Sequence, residues 1–313
     1  MARSDLLISL AKAANSGDQN KSREITEAII AEENRKNHRV LARRLKQTLF
    51  EKFNGVSGPR LQDMDNLLRE QLPERAIDSL VLKPETKNLC FEVIEEQQRA
   101  DLLRSYGLEP RNSVMLEGPP GNGKTSLAEA IAYELYLPLY TVRYEGLIGS
   151  LLGETSSRLS KIFDYVRTQP CVFFIDEFDT IGKERGDTNE TGEIKRVVSS
   201  LLLQVDRLPS YVVVVTATNH PELLDRATWR RFDLKLTLSK PTRVQIKEWF
   251  IRAFEEINEN PGYSAETIAK YFSGYNFSEI EDFWLDVKRG WILSQPGNSL
   301  RKVIGAKLKY WKN

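Results

Sequence analysis

Residues Gly118 to Ser126 read GPPGNGKTS and stand between a short apolar run, Ser113 to Glu117, and a stretch of helical period. Few local patterns restrict a fold as tightly. In the stretch from Thr125 to Tyr136, Leu127, Ala130, Ile131 and Leu135 recur at helical spacing, so the order is strand, glycine-rich loop, helix. The glycines let the backbone turn tightly and aim N–H groups at phosphate oxygens, and the following helix offers its positive end. We therefore assign Gly118, Pro119, Pro120, Gly121, Asn122, Gly123, Lys124, Thr125 and Ser126 to nucleotide binding. Lys124 would reach the β- and γ-phosphates of a nucleoside triphosphate, and the Thr125 hydroxyl would hold Mg²⁺.

A second motif works by geometry. The apolar run Cys171-Val-Phe-Phe-Ile175 ends in Asp176 and Glu177. A strand apolar on both faces belongs inside a parallel sheet, and its carboxyl edge is where ligands of open α/β folds collect. Asp176 would complete the Mg²⁺ shell and Glu177 would polarise an attacking water. Two acids after an apolar run also describe an ordinary solvated strand end. The glycine-rich loop upstream is what separates the two readings.

Composition excludes several classes. Lys+Arg 45 against Asp+Glu 44 leaves a formal charge of +1 over 313 residues, so no global field points to nucleic acid or an anionic membrane. Cys90 and Cys171 are the only cysteines, too few for a disulfide framework and consistent with reduced core thiols. His38 and His220 are the only histidines, and both read as surface or loop positions. The N-terminal apolar stretch is interrupted by Asp5 and is short for a signal peptide. No run approaches the length of a membrane span, and the expected location is cytoplasmic.

Along the chain, Leu6, Leu7, Leu10, Ala13 and Ala14 fit one amphipathic helix, and a second helical stretch is expected over 21–53. Residues 1–55 form a small helical N-terminal domain and 56–79 a linker, in which Leu61 to Pro73 reads as a short helix. The basic run from Arg35 to Lys46 is flanked by Glu32 and Glu33 and has no interleaved aromatics, so a solvated helix face is the better reading. Over 80–240, strands at 113–117, 139–143, 171–175, 211–217 and 234–238 alternate with helices, which predicts an α/β fold with a mostly parallel sheet covered on both faces. After Pro241 the strands stop. Residues 241–313 read as a helical lid subdomain, with Asn276 and Glu279 spaced as a capping box.

From about Leu80 onward the chain resembles the AAA+ ATPases, and within them the AAA proteins proper. Gly118 to Thr125 is similar to their Walker A loop, Phe173 to Asp187 to their Walker B segment, Thr216 to Asn219 to their sensor 1 strand, and Leu223 to Asp233 to their second region of homology. The resemblance implies a P-loop NTPase parallel five-stranded sheet in the order 5-1-4-3-2. It implies that Lys124, Glu177 and Asn219 act catalytically, with Arg230 and Arg231 serving the active site of a neighbouring subunit. Family members usually separate two arginines by a Pro-Gly pair, whereas these are adjacent, so which one is the finger stays open. Leu151, Leu152 and Gly153 occupy the first pore loop, where the family often carries an aromatic residue that grips a substrate chain. No arginine sits at the sensor 2 position, as is common in AAA proteins proper.

By the same resemblance, the chain is expected to be a Mg-ATP hydrolase that assembles as a homohexamer and remodels or translocates a protein substrate. The alternative is a nucleotide-gated assembly switch that controls an effector such as a protease. The first eighty residues match no adaptor domain. Their arrangement resembles small bacterial AAA ATPases paired with subtilisin-like proteases in phage defence.

Overall fold

The computed structural model describes residues 4–15, 19–35, 45, 64–143, 146, 152–178, 201–224, 226–257, 259–294 and 299–311. Two helices, α1 (Ser4–Asn15) and α2 (Gln19–Arg35), pack on each other, and Ala13, Ile29 and Ile30 on them are buried. The second helix expected over 21–53 is seen as far as Arg35, and the rest of it lies outside the described residues apart from Leu45.

The sheet contains β1 (Leu68–Gln71), β2 (Ser113–Glu117), β3 (Leu139–Val142), β4 (Cys171–Ile175), β5 (Val212–Thr218) and β6 (Leu234–Thr237), in the order β1-β3-β4-β5-β2-β6. Strands β2 to β6 are parallel. Counted from β2 as the first, and read from the β6 edge, they run 5-1-4-3-2 as expected. The sheet is larger than the five strands expected, because β1 pairs antiparallel with the open edge of β3. This corrects the helix expected over Leu61 to Pro73: residues 64–67 form a turn and Leu68–Gln71 a strand. Four residues reading Leu-Arg-Glu-Gln carry no strand period of their own, so the unpaired N–H and C=O groups of β3 decide the conformation.

Helices α3 (Pro84–Gln98), α4 (Ala100–Ser105), α5 (Lys124–Leu135) and α6 (Leu152–Val166) surround the sheet, and a short α7 (Arg226–Arg230) precedes β6. Alternation sends side chains to two cores. Met115, Phe173, Ile175 and Val214 face the side covered by Leu159, Ile162 and Phe163 of α6. Val114, Leu116, Phe174 and Val215 face Leu127 and Ile131 of α5 and Val93 of α3. Strands buried on both faces read as continuous apolar runs, and burying each large side chain contributes about 1.5–3 kcal/mol. The free thiols Cys90 and Cys171 are buried, and burial pushes the Cys90 thiol up to about 12.

The C-terminal helices are α8 (Arg243–Glu255), α9 (Ala265–Tyr271), α10 (Phe277–Leu293) and α11 (Leu300–Trp311). They close over their own aromatic core, where Phe272 and Phe283 lie 4.6 Å apart, centroid to centroid. Thr242 with Gln245, and Asn276 with Glu279, form the capping boxes that start α8 and α10. Among the described residues no helix is long and apolar enough to cross a membrane.

Candidate active site

At the carboxyl edge of the sheet lies a cavity of about 420 Å³, walled on one side by residues 120–126 and on another by Asp176, Glu177 and Asn219. The fold places β2 between β5 and β6, so the loop that follows it emerges between those two strands. Gly118 N–H donates to Thr218 O at 3.3 Å, and Leu238 N–H donates to Glu117 O at 2.8 Å. Close approach explains the residue type at 118: a Cβ there would stand 2.2 Å from the Leu238 carbonyl oxygen, at a φ of +139°.

Lys124 opens α5 and is buried. Its Nζ donates to Gly118 O at 2.7 Å, to Pro119 O at 3.1 Å and to Asn219 Oδ1 at 2.7 Å. A buried ammonium needs such partners, and all three are oxygen acceptors of the kind a phosphate also presents. Thr125 Oγ1 donates to Asp176 Oδ2 at 3.2 Å. A hydroxyl and a carboxylate, both hard oxygen donors, suit Mg²⁺, which keeps several waters and takes its remaining ligands from phosphates. Among the described residues no group of three or more His, Cys, Asp or Glu is placed to hold a metal.

Glu177 has a φ of +41°, rare for a residue with a side chain. Such a conformation costs on the order of 1–3 kcal/mol and persists where neighbours enforce it. Here Glu177 N–H donates to Asp176 Oδ1 at 2.8 Å, and Phe178 N–H donates to Ala217 O at 2.8 Å. The bend turns Glu177 out of the strand line and exposes it at the cavity wall.

Arg230 and Arg231 do not line this cavity. Arg231 pairs with Asp206, and the segment after it is fastened to the start of β2. Asp233 Oδ2 accepts from Asn112 N and Ser113 N, both at 3.2 Å, and from Ser113 Oγ at 2.8 Å. Arg230 is exposed at the end of α7, with no ion-pair partner among the described residues. Of the expected pore loop, Leu151 and the Leu152 side chain lie outside the described residues, and Gly153 falls in the first turn of α6.

Sequence reading missed other walls of the cavity, among them Arg75, Ser79, Trp249, Phe277, Ser278 and Glu281. Trp249 and Phe277 sit in stretches read only as lid helices, and Arg75 sits in a stretch read as linker. No local signal distinguishes them. Arg75 Nε lies 3.7 Å from Glu129 Oε2 on α5, which holds the linker against the helix that follows the loop.

Residues 114–240 match the profile of the ATPase family associated with various cellular activities (AAA). The chain is 38% identical over 296 residues to a Sinorhizobium fredii protein named as an AAA family ATPase, covering 90% of this chain and 87% of that one. It is 34% identical over 231 residues to the peroxisomal ATPase pex6 of Schizosaccharomyces pombe, covering 67% of this chain and 24% of that protein. It is 30% identical over 209 residues to a 26S proteasome regulatory subunit homologue of Methanothermobacter marburgensis, covering 66% and 55%. The chain thus spans about a quarter and about half of the last two relatives. Match, fold and loop geometry agree: the chain belongs to the AAA family of ATPases.

Proposed function

We propose that the chain is a Mg-ATP hydrolase that works as a ring, six copies in the expected form, and couples hydrolysis to movement of a protein substrate. The observation that carries the ring is a division. Lys124, Thr125, Asp176, Glu177 and Asn219 share one cavity, while Arg230 and Arg231 stand outside it. A cation outside its own cavity can serve the next copy's.

In this reading the triphosphate lies along the N–H groups of Gly121 to Lys124, and its oxygens compete for the Lys124 ammonium with Gly118 O, Pro119 O and Asn219 Oδ1. Mg²⁺, held by Thr125 and Asp176, would neutralise charge on the β- and γ-oxygens. Glu177 orients a water and accepts its proton as the water oxygen bonds to the γ-phosphorus and the bond to the β-bridging oxygen breaks, giving ADP and phosphate. Asn219, released from Lys124, holds that water. An arginine from the adjacent copy offsets the charge on the transferring group, worth about 10³–10⁵ in rate.

The relatives named as proteasome regulatory subunit homologues and as FtsH zinc metalloproteases support a protein as substrate or effector. The helix pair α1 and α2 is the proposed contact for that partner. The test combines native mass with and without Mg-ATP for Glu177→Gln and ATPase rate against protein concentration for the wild type. Ring formation and a rate per subunit that rises with concentration are expected. A dilute monomer as fast as the concentrated sample overturns the shared site. Replacing Leu151 and Leu152 by Ala separates a remodeller, which loses its effect on substrate, from a switch, which keeps control of its effector.

A further inference from the structure

One contact links the phosphate loop to the lid through main chain alone. Ser278 N–H, in the first turn of α10, donates to Gly121 O at 2.9 Å. The first turn of a helix carries donors with no partner inside the helix. Two neighbours here are satisfied locally, since Glu279 N–H donates to Asn276 Oδ1 at 2.8 Å and Asn276 N–H to Glu279 Oε2 at 2.7 Å. The Ser278 donor is instead met from the other subdomain. Asn276 also covers Gly121: a Cβ on Gly121 would lie 2.7 Å from Asn276 Cγ, and Gly121 has a φ of +75°.

The peptide joining Gly121 to Asn122 is a rigid trans plane, so its C=O and N–H point in opposite directions. If a phosphate draws the Asn122 N–H into the cavity, the Gly121 C=O must turn outward, toward Ser278. Other bonds tie the lid to the rest of the chain, among them Lys240 Nζ to Gly274 O at 2.7 Å and Arg252 Nη1 to Asp78 O at 2.7 Å and to Leu80 O at 3.4 Å. None of these touches the phosphate loop. Through this peptide the lid reaches the loop that would hold the phosphates.

We infer that Asn276 and Ser278 are positioning residues for the ATPase reaction, setting the lid on the phosphate loop through the Gly121 carbonyl when a nucleoside phosphate is bound. The inference rests on the nucleotide-site reading above. By reciprocity, a contact that phosphate strengthens must strengthen phosphate binding by the same factor.

The experiment is hydrogen exchange of the full chain with Mg-ADP and with a non-hydrolysable ATP analogue, beside equilibrium dialysis of the same nucleotides. Exchange at Ser278 should slow by about tenfold, the factor expected for coupling of this size. The first turn of α9, where Thr267 N–H is met locally by Ser264 Oγ at 3.1 Å, should change far less. Ser278→Pro deletes the donor at a position where helices tolerate proline and should weaken nucleotide binding by about fivefold or more. Asn276→Ser keeps a good cap, withdraws the group over Gly121, and should weaken binding less while remaining folded if Ser278→Pro does not. Bound nucleotide with unchanged Ser278 exchange, or wild-type affinity in a folded Ser278→Pro, overturns the inference. Failure to bind nucleotide at all would overturn the nucleotide-site reading itself.

Discussion

Lys124 Nζ and Asn219 Oδ1 are bonded at 2.7 Å, which joins the start of α5 to the end of β5 across the carboxyl edge of the sheet. The amide proposed to hold the attacking water is thus tied to the ammonium proposed to hold the phosphate. Asn219→Ala should leave ATP affinity within about threefold, because Gly118 O and Pro119 O still accept from Lys124, and should lower turnover by about 10²-fold or more. Binding by dialysis and single-turnover hydrolysis separate the two effects.

Glu177→Gln should bind Mg-ATP at near wild-type affinity and lose about 10²–10⁴ in hydrolysis, the range for removing a general base. The amide is nearly isosteric, so the left-handed turn at 177 is retained. Phosphate release from preloaded protein measures it, and turnover at the normal rate would remove Glu177 from the mechanism.

The two arginines should separate by phenotype. Arg231 and Asp206 are 33% and 39% exposed, so Arg231→Ala should cost only about 0.2–1 kcal/mol of stability, read as a small fall in Tm. Arg230→Ala should leave Tm unchanged and still suppress turnover at concentrations where rings form. Mixing Glu177→Gln subunits with subunits lacking both arginines should restore activity only if the site is composite.

Gly118→Ala should be among the most damaging single-atom additions. The new Cβ meets main chain, the Leu238 carbonyl oxygen at 2.2 Å, so no side-chain rotation relieves it. A loss of roughly 2–4 kcal/mol is expected, visible in denaturant melts before any assay.

Glu70 gives a pH prediction. Burial on β1 raises its carboxyl above the ordinary value; the Tyr140 hydroxyl, 3.3 Å away, opposes the shift, and Asp65 adds to it. A carboxyl raised in the folded state binds more protons there than in the unfolded chain, so its contribution weakens as pH rises from the ordinary carboxylate value through the folded one. Glu70→Gln keeps an acceptor for Tyr140 and has no charge to desolvate. It should melt higher than wild type at neutral pH, and the gap should close as pH falls below that window. A gap independent of pH would rule out burial of the charge as its cause.

The amino-acid sequence alone determined whatever depends on neighbours along the chain. The turn at Gly118 to Ser126, the acids at the end of the Cys171 to Ile175 run and the cap at Asn276 are local patterns, set by backbone freedom and by repeats of two or 3.6 residues. Tertiary structure decided the rest. Leu68–Gln71 is a strand because β3 has an open edge. Arg231 is held because Asp206 lies across from it, and Gly121 meets Ser278 although the two are far apart in sequence. Such contacts are made when two cores and a lid close on one another, and a single unpaired donor or edge leaves no periodic trace in the chain that carries it.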